Sequence, residues 1–249
     1  MVILFFKRTL SSSFIILYLT ISPYTQAALE SKNCTLTPPP QSTNKTILID
    51  PGHGGIDGGA VSKNGTLEKD INLSIGLKLR AALTASGFKV KMTRESDVGL
   101  YRSKHPVRKS KQEDLHKRCI LKAETSCDVF ISIHQNYFPE EKYSGAQVWY
   151  CKPPESKLLA QIIQKNLRAD LDSNNKREEK SAGNLYRILK CHCEIPSVIV
   201  ECGFLTNPAE ELKLRDENYQ QRIAASLCKS IIEFFNLQAN GENKNNPNS

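Results

Sequence analysis

Thr46-Ile47-Leu48-Ile49-Asp50-Pro51-Gly52-His53-Gly54-Gly55 is the stretch on which the fold turns. The run up to Asp50 is short and apolar, and Pro51-Gly52 closes it, which is the pattern of a strand buried on both faces. The glycine-rich loop that follows, Gly52 to Gly59, carries His53 and Asp57. A dinucleotide fingerprint counted from Gly52 fails at its sixth position, where Asp57 stands, and no Gly-Lys-Ser/Thr triplet makes a P-loop. An anion-binding backbone nest stays open but generic. The simpler reading is a backbone that turns tightly around His53 and leaves its imidazole toward a cleft.

Outward from this stretch, strand and helix patterns alternate. A helix pattern starts after Glu68, with Ile71, Ile75, Leu79, Ala82 and Leu83 on one face and Gly87 as its stop. Residues 88–92 alternate as a half-exposed strand does, and residues 115–124 suggest a helix. Residues 129–133 form a strand that delivers His134, and residues 146–150 form another. Residues 155–171 are helical, with Leu159, Ile162, Ile163 and Leu167 inward. Residues 197–200 form a buried strand that delivers Glu201, and a last helix carries the stripe Ile223, Leu227, Ile231, Phe234. The expected fold class is α/β: a single domain with a mostly parallel mixed sheet flanked by helices on both faces. Ligands in such sheets sit beyond the carboxyl ends of the strands, where His53, His134 and Glu201 all emerge.

Composition agrees with one globular domain. The 249 residues carry 34 Lys+Arg against 26 Asp+Glu, a formal charge of +8, with 39% hydrophobic and 24% charged residues. These values exclude a disordered or collagen-like chain. A mean hydropathy of −0.40 and the lack of long apolar runs beyond the N-terminus exclude a polytopic membrane protein. Residues 1–28 read as an export signal: Lys7 and Arg8, a short apolar core, Pro23, then small residues. The alternative is an uncleaved anchor, the only route by which this chain would touch a membrane. Residues 29–45, with Pro38-Pro39-Pro40, read as an extended linker, residues 46–236 as the folded domain, and residues 237–249 as a disordered tail. Export gives the 8 cysteines access to disulfide chemistry, but 105 pairings are open to them. Cys127, Cys202 and Cys228 lie in apolar segments and read equally well as small buried residues. Cys191-His192-Cys193 has the wrong spacing for a zinc clamp.

His53, Glu68 and His134 together offer two imidazoles and one carboxylate. That set leaves a fourth position open on a zinc ion, as catalytic rather than structural sites do. Such an ion would keep the charge needed to polarise a carbonyl and acidify water. The other reading makes each histidine a satisfied loop residue and Glu68 a carboxylate favoured by its helix N-terminus.

The segments Ile47 to Gly55, Asp57-Gly58-Gly59-Ala60 and Glu68 strongly resemble the opening of the zinc-dependent N-acetylmuramoyl-L-alanine amidases of the type 3 family. Thr93-Arg94, the helix with Arg118, Asp128 to Asn136 and Pro196 to Pro208 continue the likeness in order. The resemblance spans about residues 46–236. It implies one zinc per chain on His53, Glu68 and His134, Glu201 as the catalytic carboxylate, and peptidoglycan as the substrate. Glu201 would shuttle a proton from water to the leaving L-alanine nitrogen. Residues 144–148 and the basic insert at 104–117 look most like the sporulation or germination-specific branch. That branch implies an exported enzyme of the cell envelope or the spore intermembrane space and cortex. One departure is Lys122-Ala123, where the family often has Ala-Asn.

Asn136, Arg177 and Lys180 are candidate substrate contacts. Between Tyr101 and Glu124, eight basic residues face three acids. That charge suits steering of an anionic wall polymer or its peptide carboxylates, and suits a solvated helix face equally well. Nucleic acid is not an expected partner, since no stacking aromatics are interleaved with the charge. A zinc peptidase trimming stem peptides and a non-catalytic wall-binding module are the alternative functions. The sequence leaves open whether an accessory activating protein is needed.

Overall fold

In the computed structural model, residues 44–102 and 106–245 are described, with side chains through Gly241. The expected export segment, Cys34 and nearly all of the expected linker lie outside the described residues. The elements in chain order are β1 (Thr46–Pro51), α1 (Glu68–Ala85), β2 (Lys89–Met92), α2 (Val107–Glu124), β3 (Val129–Asn136), β4 (Gln147–Tyr150), α3 (Pro154–Asp170), β5 (Lys180–Ser181), α4 (Arg187–Lys190), β6 (Ser197–Phe204), α5 (Pro208–Arg215) and α6 (Glu217–Asn245).

The six strands form one sheet in the order β2-β1-β3-β6-β4-β5. β1 runs parallel to β2 and β3, β3 parallel to β6, and β4 parallel to β5. Only β4 against β6 is antiparallel, so the sheet is mixed and mostly parallel, as expected. The central strands β1, β3 and β6 are near-continuous apolar runs because both of their faces are covered. The edge strand β2 reads Lys-Val-Lys-Met and turns its lysines to water, which discourages pairing with another chain.

Side chains alternate between two cores. On one face Ile47, Ile49, Ile131, Ile133, Val198 and Val200 meet the stripes of α1, α3 and α6. On the other face Leu48, Phe130 and Ile199 meet Cys119 of α2, Ile188 and Leu189 of α4, and Cys127 and Cys151. Helix ends follow local chemistry. Gly87, at φ +86°, ends α1 in the left-handed conformation that glycine adopts without strain. Asn207 caps α5 by accepting from the Ala209 and Glu210 amides, with Pro208 in the first turn.

Three features depart from the sequence reading. α2 begins at Val107, well ahead of residue 115, because its first turns are so polar that they show no apolar stripe. β5 is two residues long and gave no strand signal. The tail expected to be disordered is helical to Asn245, as a continuation of α6. No helix among the described residues is long and apolar enough to cross a membrane.

Candidate active site

Beyond β1 the chain stays in the ladder for one more bond, from the Gly52 amide to the Ile133 carbonyl at 2.9 Å. A Cβ at Gly52 would collide with the His134 ring, so only glycine lets the two histidine-bearing segments come this close. His53 then takes φ +62°, an unfavourable conformation for a residue with a side chain. Two buried arginines hold it there. Arg118 donates to the carbonyls of Pro51 (2.9 Å) and His53 (2.7 Å), and Arg94 to those of Pro51 (2.9 Å) and Gly52 (3.0 Å). Arg118 is in turn paired with Asp50 and with Asp114. Asp50 accepts further bonds from Thr93 (2.6 Å) and Ser132 (2.7 Å). Burial alone would raise the Asp50 pKa, but the Arg118 charge and the two hydroxyls outweigh it and hold the carboxylate below its usual range.

His53 Nδ1 bonds Asp57 at 2.9 Å, which directs Nε2 toward Glu68 at 3.2 Å. Asp57 also accepts from Lys111 at 2.6 Å. Glu68, the first residue of α1, takes the His134 Nδ1 contact (2.9 Å) and the Gln135 amide (3.0 Å) on one oxygen, and the Ala60 amide (2.8 Å) on the other. The two imidazoles meet edge to face, with centroids 5.0 Å apart. One ligand atom from each of His53, Glu68 and His134 lies within 4.8 Å of the others. Burial works to lower the His53 pKa, yet its bonds to Asp57 and Glu68 carry it up to about 9. This is a carboxylate locked between two imidazoles, and the same donor set fits a divalent ion that would replace the shared protons.

Glu201 lies in register between His134 of β3 and Gln147 of β4, so the three side chains share one face. It is 7% exposed, and its Oε2 is buried with no hydrogen-bond partner. Burial pushes its pKa up to about 7, against the pull of His134 and with the added push of Glu68. A carboxylate with that affinity and a free oxygen is suited to taking and returning a proton.

A family model described as N-acetylmuramoyl-L-alanine amidase matches residues 47–233, a span that holds all four of these side chains. The chain belongs to the N-acetylmuramoyl-L-alanine amidase family. Its reaction is the hydrolysis for which that family is named. Among its relatives, the germination-specific N-acetylmuramoyl-L-alanine amidase of Bacillus subtilis (strain 168) is 39% identical over 195 residues, covering 78% of this chain and 81% of the relative. The CwlD amidase from Clostridioides difficile, solved in complex with the GerS lipoprotein, superposes with a TM-score of 0.75 at 42% identity, over 78% of this chain and all of that one. An N-acetylmuramoyl-L-alanine amidase from Clostridium difficile 630 gives 0.68 at 32%, over 78% and 98%.

In this amidase the remaining sequence-selected residues stand outside the cluster. Asn136, half-buried at the end of β3, uses its carbonyl to accept the Leu205 amide. Arg177 stacks over Phe204 at 4.4 Å and donates to the Ser144 carbonyl and to Gln147, so it braces the strand beside Glu201. Lys180 lies on β5 over the Trp149 ring at 5.7 Å. Asp57, Lys111, Arg94 and Arg118 had no role in the sequence reading beyond their places in motifs or charge. Asp57 was the findable one, four residues from His53 in a loop that must fix that ring. Tyr186 was also missed: it tilts against Trp149 at 5.5 Å, and burial together with the Glu201 charge raises its pKa.

Proposed function

We propose that the amidase works with one zinc ion per chain on His53, Glu68 and His134, with Glu201 carrying the proton. The bond it cuts joins the lactyl group of N-acetylmuramic acid to the L-alanine of the stem peptide. The observation behind this reading is the pairing of a convergent His-Glu-His set with a neighbouring buried carboxylate that has one free oxygen. Bound zinc supplies Lewis acidity, which polarises the carbonyl and acidifies water. Asp57 fixes the His53 ring, and the Gln135 and Ala60 amides fix Glu68. Glu201 takes a proton from the attacking water and returns it to the departing L-alanine nitrogen. Its burial beside His134, with one oxygen unpartnered, suits it to hold the proton between the two transfers.

The germination-specific relative supports the spore cortex as the setting, and with it export to the envelope or the spore intermembrane space. The lipoprotein in the CwlD structure supports an accessory partner here as well. Glu201→Gln is expected to keep one zinc per chain and lose turnover by about 10²–10⁴, while His134→Ala loses the metal. Product analysis should find new L-alanine N-termini; cuts within the stem peptide would favour a peptidase instead. Zinc well below one per chain at saturation, or hydrolysis untouched in Glu201→Gln, would overturn the mechanism.

A further inference from the structure

Beside the histidines, α2 and α4 frame an open groove of about 560 Å³, lined by Val107, Arg108, Lys111, Gln112, Leu115 and Arg187. Val107 and Leu115 make its floor apolar, and three cations stand around it. The groove is tied to the active site at both ends. Lys111 bonds Asp57, which bonds His53. Arg187 follows Tyr186, which packs on Trp149 and faces the Glu201 charge.

The cations are not equivalent. Lys111 is engaged by Asp57 at 2.6 Å. Arg108 and Arg187 are exposed, and among the described residues their side chains make no hydrogen bond or ion pair. Two unpaired guanidiniums flanking an apolar floor suit a ligand with a short aliphatic stem and a carboxylate, which guanidinium binds through two parallel hydrogen bonds. The substrate's own chemistry says which part that is. In the glycan the sugars are N-acetylated and neutral, and the lactyl carboxyl is consumed in the scissile amide. The negative charge near that amide lies on the peptide, where L-alanine is followed by a γ-linked glutamate with a free α-carboxylate or its amide.

We propose that this groove is the subsite for the stem peptide, and that Arg108 and Arg187 bind the α-carboxylate of the residue after L-alanine. The proposal rests on the amidase reading and adds a preference for the acid over the amidated stem. It also decides, for Arg108, between the two readings that the basic stretch had in the sequence: peptide carboxylates rather than a solvated face.

The experiment uses the full chain loaded with zinc and two tripeptides, L-alanyl-γ-D-glutamyl-L-lysine and its glutamate α-amide. Neither contains the lactyl amide, so calorimetry reads binding without turnover. Two rim-exposed ion pairs predict that the acid binds about fivefold more tightly than the amide, and that added salt narrows the gap. The double variant R108Q/R187Q, checked for an unchanged melting temperature, should bind the two peptides equally. Equal binding by the unaltered chain, no binding of either peptide, or a preference that survives in the double variant would overturn the proposal. Hydrolysis of a muramyl peptide is measured in parallel. A chain that prefers the acid peptide but frees no L-alanine terminus would keep the subsite and refute the amidase reading.

Discussion

The two faces of the sheet are built from different materials. The face under α1, α3 and α6 is apolar throughout its core, with Ile75, Leu79, Leu83, Leu159, Ile163, Leu227 and Ile231 at zero exposure beside Phe88, Phe234, Phe235 and the thiols of Cys202 and Cys228. The face under α2 and α4 contains Cys119, Cys127, Cys151, Cys191 and Cys193, the indole of Trp149 and the fully buried Lys122. His134 and Glu201 project on this second side, since they alternate with Ile133 and Val200. The apolar side holds the sheet in place through non-directional burial. The other side holds buried charges in place by specific bonds, and His134 and Glu201 stand on it. Removing a group from one side should cost stability alone; removing one from the other should cost stability and geometry together.

Arg118→Met is the harshest way to sharpen that contrast. It leaves Asp50 and Asp114 without their shared cation, frees the His53 carbonyl and leaves Pro51 to Arg94 alone. The expected cost is about 3–5 kcal/mol, measured by denaturant unfolding. Activity should also fall in the fraction that stays folded, because His53 loses its restraint at positive φ. The pH dependence gives a separate check. With its pKa held down in the fold, Asp50 contributes stability in full above the unfolded value of about 4, and loses it as pH falls further. Without Arg118 the burial of Asp50 is opposed only by the Thr93 and Ser132 hydroxyls and His134, so its folded pKa rises. The variant should therefore lose less stability than the parent as pH falls through that range. A parallel fall in both would refute the assigned role of Arg118.

Leu79→Ala probes the apolar side. Leu79 is fully buried in the inward stripe of α1. Its truncation should cost about 3 kcal/mol through lost burial and the cavity left behind. The turnover number of the folded enzyme should barely change, since no bond to Glu68 or the histidines passes through Leu79. A tenfold fall in turnover at constant zinc content would show that the two sides are not separable in this way.

Legibility in the sequence divides along the same line. Periodicity marks the apolar side directly: the stripes on α1, α3 and α6 and the apolar runs of β1, β3 and β6 all stand where they were read. The convergence of His53, Glu68, His134 and Glu201 was legible because each follows a recognisable strand or opens a recognisable helix. The supports around them were not. Arg94 and Arg118 act on backbone carbonyls more than forty residues away, and such contacts leave no local period. The polar start of α2 hid its own helix for the same reason. Arg177 was picked for its charge, yet that charge is engaged by a carbonyl, an amide oxygen and an aromatic face within the fold. The cysteines could not be paired in advance because nothing along the chain joins residue 119 to residue 191.

That pair is also where the smallest effect on ligand binding is expected. Cys119 of α2 and Cys191, just after α4, form a disulfide across 72 positions, with Cα atoms 5.9 Å apart. It staples the two walls of the basic groove together. Lys122 makes the same connection without a covalent bond: its ammonium, over the Phe130 ring, donates to the Cys191 carbonyl at 2.7 Å and the Ile188 carbonyl at 3.4 Å. A native state held twice at one place should scarcely move when one tie is cut. The disulfide then acts mainly by restricting the unfolded chain, and its removal in Cys119→Ser/Cys191→Ser should cost about 4 kcal/mol, or roughly 8–16 °C in melting temperature. Binding of the acid tripeptide should change by less than about twofold, within the 0.5 kcal/mol scatter of a distant substitution. If binding instead weakens tenfold, the walls need the covalent tie, and Lys122 is a passenger in the joint it was taken to share.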